Sequence, residues 1–167
     1  MKIRKFCQTR GGYSLMELIA VLAVLAACGG LLTANLALIP RNEAKKCARS
    51  IDAALSACKI EAMTKTGGMS LRLYADEGGS THITYLSGDG GTEYTDETVA
   101  NRLASVTVNG TALTQSGVTW SFERDTGKIT AGREFTVLVI SGGGRGWTIT
   151  LYPLTGAHVL NGREERV

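Results

Sequence analysis

The chain has 167 residues, of which 6% are aromatic and 21 are glycine, with a formal net charge of +3. Such a length favours one globular domain, and few aromatics among many glycines fit a small β-rich domain better than a large enzyme core. The positive charge is local: Lys2, Arg4, Lys5 and Arg10 precede Gly11 with no acid among them, and removing these four charges from +3 leaves −1, so the balance gives no reason to expect a nucleic-acid partner.

After this basic segment comes "GGYSLMELIAVLAVLAACGG", residues 11–30. The apolar run from Leu18 to Ile39 contains no charge and no proline. As a helix it measures roughly 33 Å, enough for a bilayer core of about 30 Å. It is too long for a secretory h-region, which spans about 7–15 residues. Basic residues flank both ends, Arg41, Lys45, Lys46 and Arg49 following the run, so the positive-inside count is close to a tie. Glu17 stands at the lip of the run, where an ordinary single-pass anchor has no use for a carboxylate.

The order Gly12-Tyr13-Ser14-Leu15-Met16-Glu17-Leu18 resembles the N-terminal signature of the type IV pilins and of the pseudopilins of type II secretion systems. In that family a basic leader ends in glycine, then come an aromatic residue, a Thr- or Ser-Leu pair, a glutamate and about twenty apolar residues. The resemblance implies a cleaved leader, 1–12, cut between Gly12 and Tyr13 on the cytoplasmic side by a prepilin peptidase, with N-methylation at Tyr13. It implies a transmembrane and assembly segment over 13–39, assembly with other pilin or pseudopilin subunits and a platform protein, and an extracytoplasmic C-terminal domain on a single-pass anchor in the cytoplasmic membrane. Glu17 would meet the N-terminal amine of a neighbouring subunit in the filament, because a buried charge persists only when paired. The plainer account is that Glu17 merely reaches the headgroup region. A rival motif overlaps: Leu25-Ala26-Ala27-Cys28-Gly29 resembles a lipobox, which would make the chain a lipidated or otherwise membrane-anchored binding module that does not polymerise. Against it, the sequence stays apolar after Cys28.

Beyond the run, Ala44, Cys47, Ile51, Ala54, Leu55, Cys58 and Ala62 recur at spacings of three and four, with Arg41, Lys45, Lys46, Arg49, Asp52, Lys59 and Glu61 mostly at the other positions. This pattern is an amphipathic helix over 40–66. One long helix over about 14–66 is expected, with Pro40 the residue able to kink it and Thr66-Gly67-Gly68 as its stop. Cys47 and Cys58, eleven residues apart on one face, are separated by roughly 16 Å along such a helix. A disulfide needs Cα atoms within about 7 Å, so buried free thiols are expected.

Residues 67–167 read as a β-rich globular domain. Short strands are expected at Ser70–Tyr74, His82–Leu86, Ser105–Val108, Val118–Phe122, Phe135–Ile140, Trp147–Tyr152 and Ala157–Leu160, and a short helix at Thr95–Leu103 capped by Thr95 or Asp96. Asn109-Gly110 marks a hairpin turn, and Gly142–Gly146 a hairpin loop, without the Lys-Ser/Thr of a phosphate-binding P-loop. The glycine-rich hairpin followed by "LYPLTGAHVL" weakly resembles the H-type minor pseudopilins. The expected fold is therefore α+β and pilin-like, a long N-terminal helix packed on a C-terminal antiparallel sheet.

No catalytic constellation emerges, no cofactor motif is present, and His82 and His158 have no Cys or His at metal spacing. The acidic stretch of residues 89–97 offers Asp89, Glu93, Asp96 and Glu97. Oxygen-rich loops suit calcium, but the order is not that of an EF-hand, so no metal is assigned. The expected role is a structural subunit of a pilus or pseudopilus rather than an enzyme.

Overall fold

The computed structural model describes residues 14–36, 38–64, 68–87, 93–131 and 135–162. Two compact units are defined, residues 1–36 and 37–167. The first holds helix α1 (Leu15–Leu36), the second helix α2 (Leu38–Thr64) and ten strands. The leader 1–12 and Tyr13 lie outside the described residues, as do Ala37 between the helices and the predicted stop at Thr66-Gly67.

In the second unit β1 (Met69–Ala75), β2 (Thr81–Ser87), β3 (Glu93–Ala100), β6 (Val118–Phe122) and β7 (Ile129–Ala131) form one sheet in the order β3-β2-β1-β6-β7. The other sheet takes β4 (Ser105–Val108), β5 (Thr111–Ala112), β8 (Thr136–Gly142), β9 (Arg145–Tyr152) and β10 (Ala157–Asn161) in the order β10-β9-β8-β4-β5. Every pairing is antiparallel. Matched serines cross the ladders of both sheets, Ser70 to Ser121 and Ser105 to Ser141, each pair 2.7 Å apart.

Helix α2 touches β1, β2, β3 and β6 of the first sheet and β8, β9 and β10 of the second. All seven residues of the predicted apolar stripe are buried, together with Ala48. Six of those eight are alanine or cysteine, and such small side chains let two sheets approach one helix closely. The larger volume comes from the strands, where Leu71, Leu73, Trp120, Leu138, Ile140 and Ile149 are fully buried against it.

Seven predicted strands are present, within two residues of their expected bounds. In place of the predicted helix at Thr95–Leu103, residues 95–100 belong to strand β3, paired with β2, and the chain turns after Ala100. Its residues explain the outcome: Thr95, Thr98 and Val99 are β-branched and favour a pleated surface, and Asp96 spends its carboxylate across the sheet on Tyr74 at 3.0 Å and Thr84 at 3.2 Å rather than on a helix cap. Two short strands, β5 and β7, escaped prediction. Asn109 and Gly110 turn the chain into β5 with φ of 51° and 80°, the conformation that a two-residue hairpin requires.

Candidate processing and assembly site

Ser14 opens α1. Its carbonyl accepts hydrogen bonds from the amides of Glu17 and Leu18 at 2.9 and 3.2 Å, and its hydroxyl accepts a further one from the Glu17 amide at 3.3 Å. Ser14 is thus the N-cap and Glu17 the third helical residue, the Ser-x-x-Glu spacing of a capping box. That spacing is visible in the sequence. An acid in the first turn also complements the helix dipole.

From Leu15 to Leu25 every large apolar side chain of α1 is exposed, from 53% at Val21 to 82% at Met16. They occupy all sides of the helix, so no single face would bury them. Among the described residues no helix is long and apolar enough to cross a membrane; the second half of the predicted run, positions 28–37, lies outside the described side chains, and so does the rival lipidation residue Cys28.

Both histidines lie on strands and both face carboxylates. His82 of β2 has Asp76 at 3.3 Å from Nε2 and Asp96 at 3.4 Å from Nδ1, and it stacks on Tyr74 with ring centroids 5.2 Å apart. The Ser80 amide donates to Asp76 at 2.7 Å; this bond, aided by His82, holds the Asp76 carboxyl below its ordinary value. His158 of β10 meets Ser56 at 3.0 Å and Asp52 at 3.5 Å. These are the residue types of a hydrolytic triad, but Ser56 and Asp52 both approach the same atom, Nε2. A relay needs the acid on one ring nitrogen and the nucleophile on the other. The trio ties α2 to the edge of the second sheet instead.

Cys47 and Cys58 are free and buried on α2, as predicted. Burial, with a smaller contribution from Glu43 and Glu61 respectively, pushes each thiol up to about 12. In the acidic stretch, Asp89 lies outside the described residues, and Asp96 is engaged with Tyr74, Thr84 and His82.

No protein-family model matches the chain, and no curated protein sequence does. Among solved structures the chain is similar to the type IV minor pilin FimU of Pseudomonas aeruginosa in two crystal forms. In one the identity is 13% and the TM-score 0.52, over 70% of this chain and 91% of that one. In the other they are 18% and 0.52, over 72% and 90%. The fold, a helix packed on antiparallel sheets, is the pilin fold.

Proposed function

We propose that the chain is a minor structural subunit of a type IV pilus or type II secretion-type pseudopilus and not an enzyme. The observation that carries this is the packing of α2 on two antiparallel sheets, the fold shared with FimU. Two features of the first unit support it. The residue order from Gly12 to Leu18 is that of a prepilin processing site, and the apolar side chains of α1 stand exposed on all sides. Burying eight such side chains stabilises by on the order of 10–20 kcal/mol, a driving force first for membrane anchorage and then for transfer into a filament of like helices.

In this function prepilin peptidase cuts between Gly12 and Tyr13 on the cytoplasmic face, and Tyr13 becomes a methylated N-terminus. Residues 13–39 anchor the subunit in the cytoplasmic membrane with residues 40–167 outside. The platform protein and other subunits then draw α1 into the filament, where Glu17 pairs with a neighbour's terminal amine.

Intact-mass measurement of the membrane-extracted protein tests this. The expected product begins at Tyr13, carries one added methyl group and no lipid, and is absent in Gly12→Ala. A terminus at Cys28 with acyl mass would establish the lipidated module in its place.

A further inference from the structure

Of the four sheet edges among the described residues, three are blunted against further pairing. β3 carries the exposed acids Asp96 and Glu97 and two irregularities of register against β2. β5 has only two residues. β7 has three, and its Ile129 amide donates to the Pro153 carbonyl at 3.0 Å. Charge, bulges and shortness are the usual protections of a sheet edge. β10 has none of them. Its five residues, Ala157–Asn161, include no Asp, Glu, Lys, Arg, Gly or Pro, and all five pair with β9 in unbroken register. Among the described residues no strand pairs with its other side.

A groove of about 680 Å³ lies between β10 and α2. Val159 and His158, from opposite faces of β10, both line it, so the groove follows the edge of the strand; Ser56 and Ile60 of α2 stand across from them. The polar side chains here are engaged. His158 meets Ser56 at 3.0 Å and Asp52 at 3.5 Å, and Lys59 donates to the Thr155 carbonyl at 3.0 Å. What stays open is a row of backbone donors and acceptors, with Val159 44% and Ile60 62% exposed beside it. A charged occupant would find no counter-charge free to meet it. The groove suits an extended strand without formal charge and with apolar side chains.

β10 is itself such a strand. Antiparallel pairing with its own copy is self-complementary: with all five residues matched, Ala157 faces Asn161, His158 faces Leu160, and Val159 faces its counterpart. We propose that the chain pairs with a second copy of itself through β10, each strand entering the other's groove and the two second sheets joining into one of ten strands. A contact of this kind closes on itself. It adds nothing to an open filament and covers the edge of a subunit outside one. The inference goes beyond the function proposed above and does not depend on it.

Analytical ultracentrifugation of the full chain in detergent, with Cys7→Ala and Cys28→Ala as background, tests it. The background chain should show a monomer–dimer equilibrium. Val159→Lys should weaken the dimer roughly tenfold, because each copy sets a lysine opposite the other's. Mixing Val159→Lys with Val159→Glu should restore it. Leu103→Lys, the same change at an exposed residue before β4, should leave it intact. Under mild oxidation Val159→Cys should give a covalent dimer, since directly opposed residues lie within disulfide reach. Ala157→Cys should not, its counterpart lying roughly 14 Å away along the paired strands. Matching melting temperatures check that each variant folds. A monomeric background chain would overturn the proposal. So would a dimer untouched by Val159→Lys, which would place the association elsewhere in the chain, an equal weakening by Leu103→Lys, or equal cross-linking at 157 and 159.

Discussion

Gly142 stands against Pro40 so closely that even a methyl group would press on the Pro40 carbonyl oxygen, at 2.4 Å. Main chain meets main chain here, and neither side can yield by changing a rotamer. Gly142→Ala should therefore push the β8–β9 hairpin off α2 and destabilise the domain by about 1–3 kcal/mol, the usual range for overpacking. The same substitution at Gly144, where nothing lies within 4 Å but φ is +74°, should cost only the local backbone strain of about 1 kcal/mol. Melting temperatures of the two variants give the comparison, and a milder effect at Gly142 would refute the close approach.

The buried thiols set an alkaline limit on stability. Cys47 and Cys58 move from an ordinary 9.0 up to about 12 in the folded chain. A group whose folded value is raised contributes its stability fully below the unfolded value, and that contribution is lost as pH rises through the folded one. The melting temperature should thus fall steadily between pH 9 and pH 12. At pH 8, with Cys7→Ala and Cys28→Ala as background, a thiol reagent should label the protein only as fast as it unfolds. Rapid stoichiometric labelling of the native protein would disprove the burial of these thiols.

Ser14 caps the start of α1 through its hydroxyl, so the charge at position 17 can be removed without touching the cap. Glutamine also completes a capping box, so Glu17→Gln keeps the start of α1 and removes only the charge. Cleavage after Gly12 and the membrane level should be unchanged, whereas incorporation into sheared filaments should fall, because an unpaired buried amine costs roughly 3–5 kcal/mol. Ser14→Ala should instead fray the helix start at about 1 kcal/mol. Normal incorporation of Glu17→Gln in cells lacking the wild-type copy would sink the pairing role. Loss of cleavage would move Glu17 into the peptidase recognition site.

The legible parts of this fold were those with a long repeating period. Seven residues from Ala44 to Ala62 define a face, and a face needs a sheet to cover it, so α2 and its burial could be read directly. The β3 segment reads as a helix from sequence because Glu93–Ala100 carries acids and threonines whose meaning depends on a neighbour: Asp96 looks like a cap until Tyr74 and Thr84 are seen opposite it. The division into two sheets was equally illegible, since it depends on which strand pairs with which across tens of residues. At the candidate site, Gly12, Tyr13 and Glu17 stood out by their order. The Ser-x-x-Glu spacing is present in the letters, whereas the approach of Gly142 to Pro40 depends on the hairpin being folded back on α2.

Strand β6 pairs with β1 some fifty positions earlier, and β8 with β4 some thirty earlier, so the chain passes from one sheet to the other after β3, after β5 and after β7. The two sheets are laced together in time as well as in space. Neither is complete until the chain has been made almost to its end: the first waits for residue 131, the second for residue 161. Until then the apolar face of α2 lacks half its cover. Such distant pairings are slow to form, and the second unit should acquire its structure late and in a single step, leaving no stable half-domain on an unfinished chain.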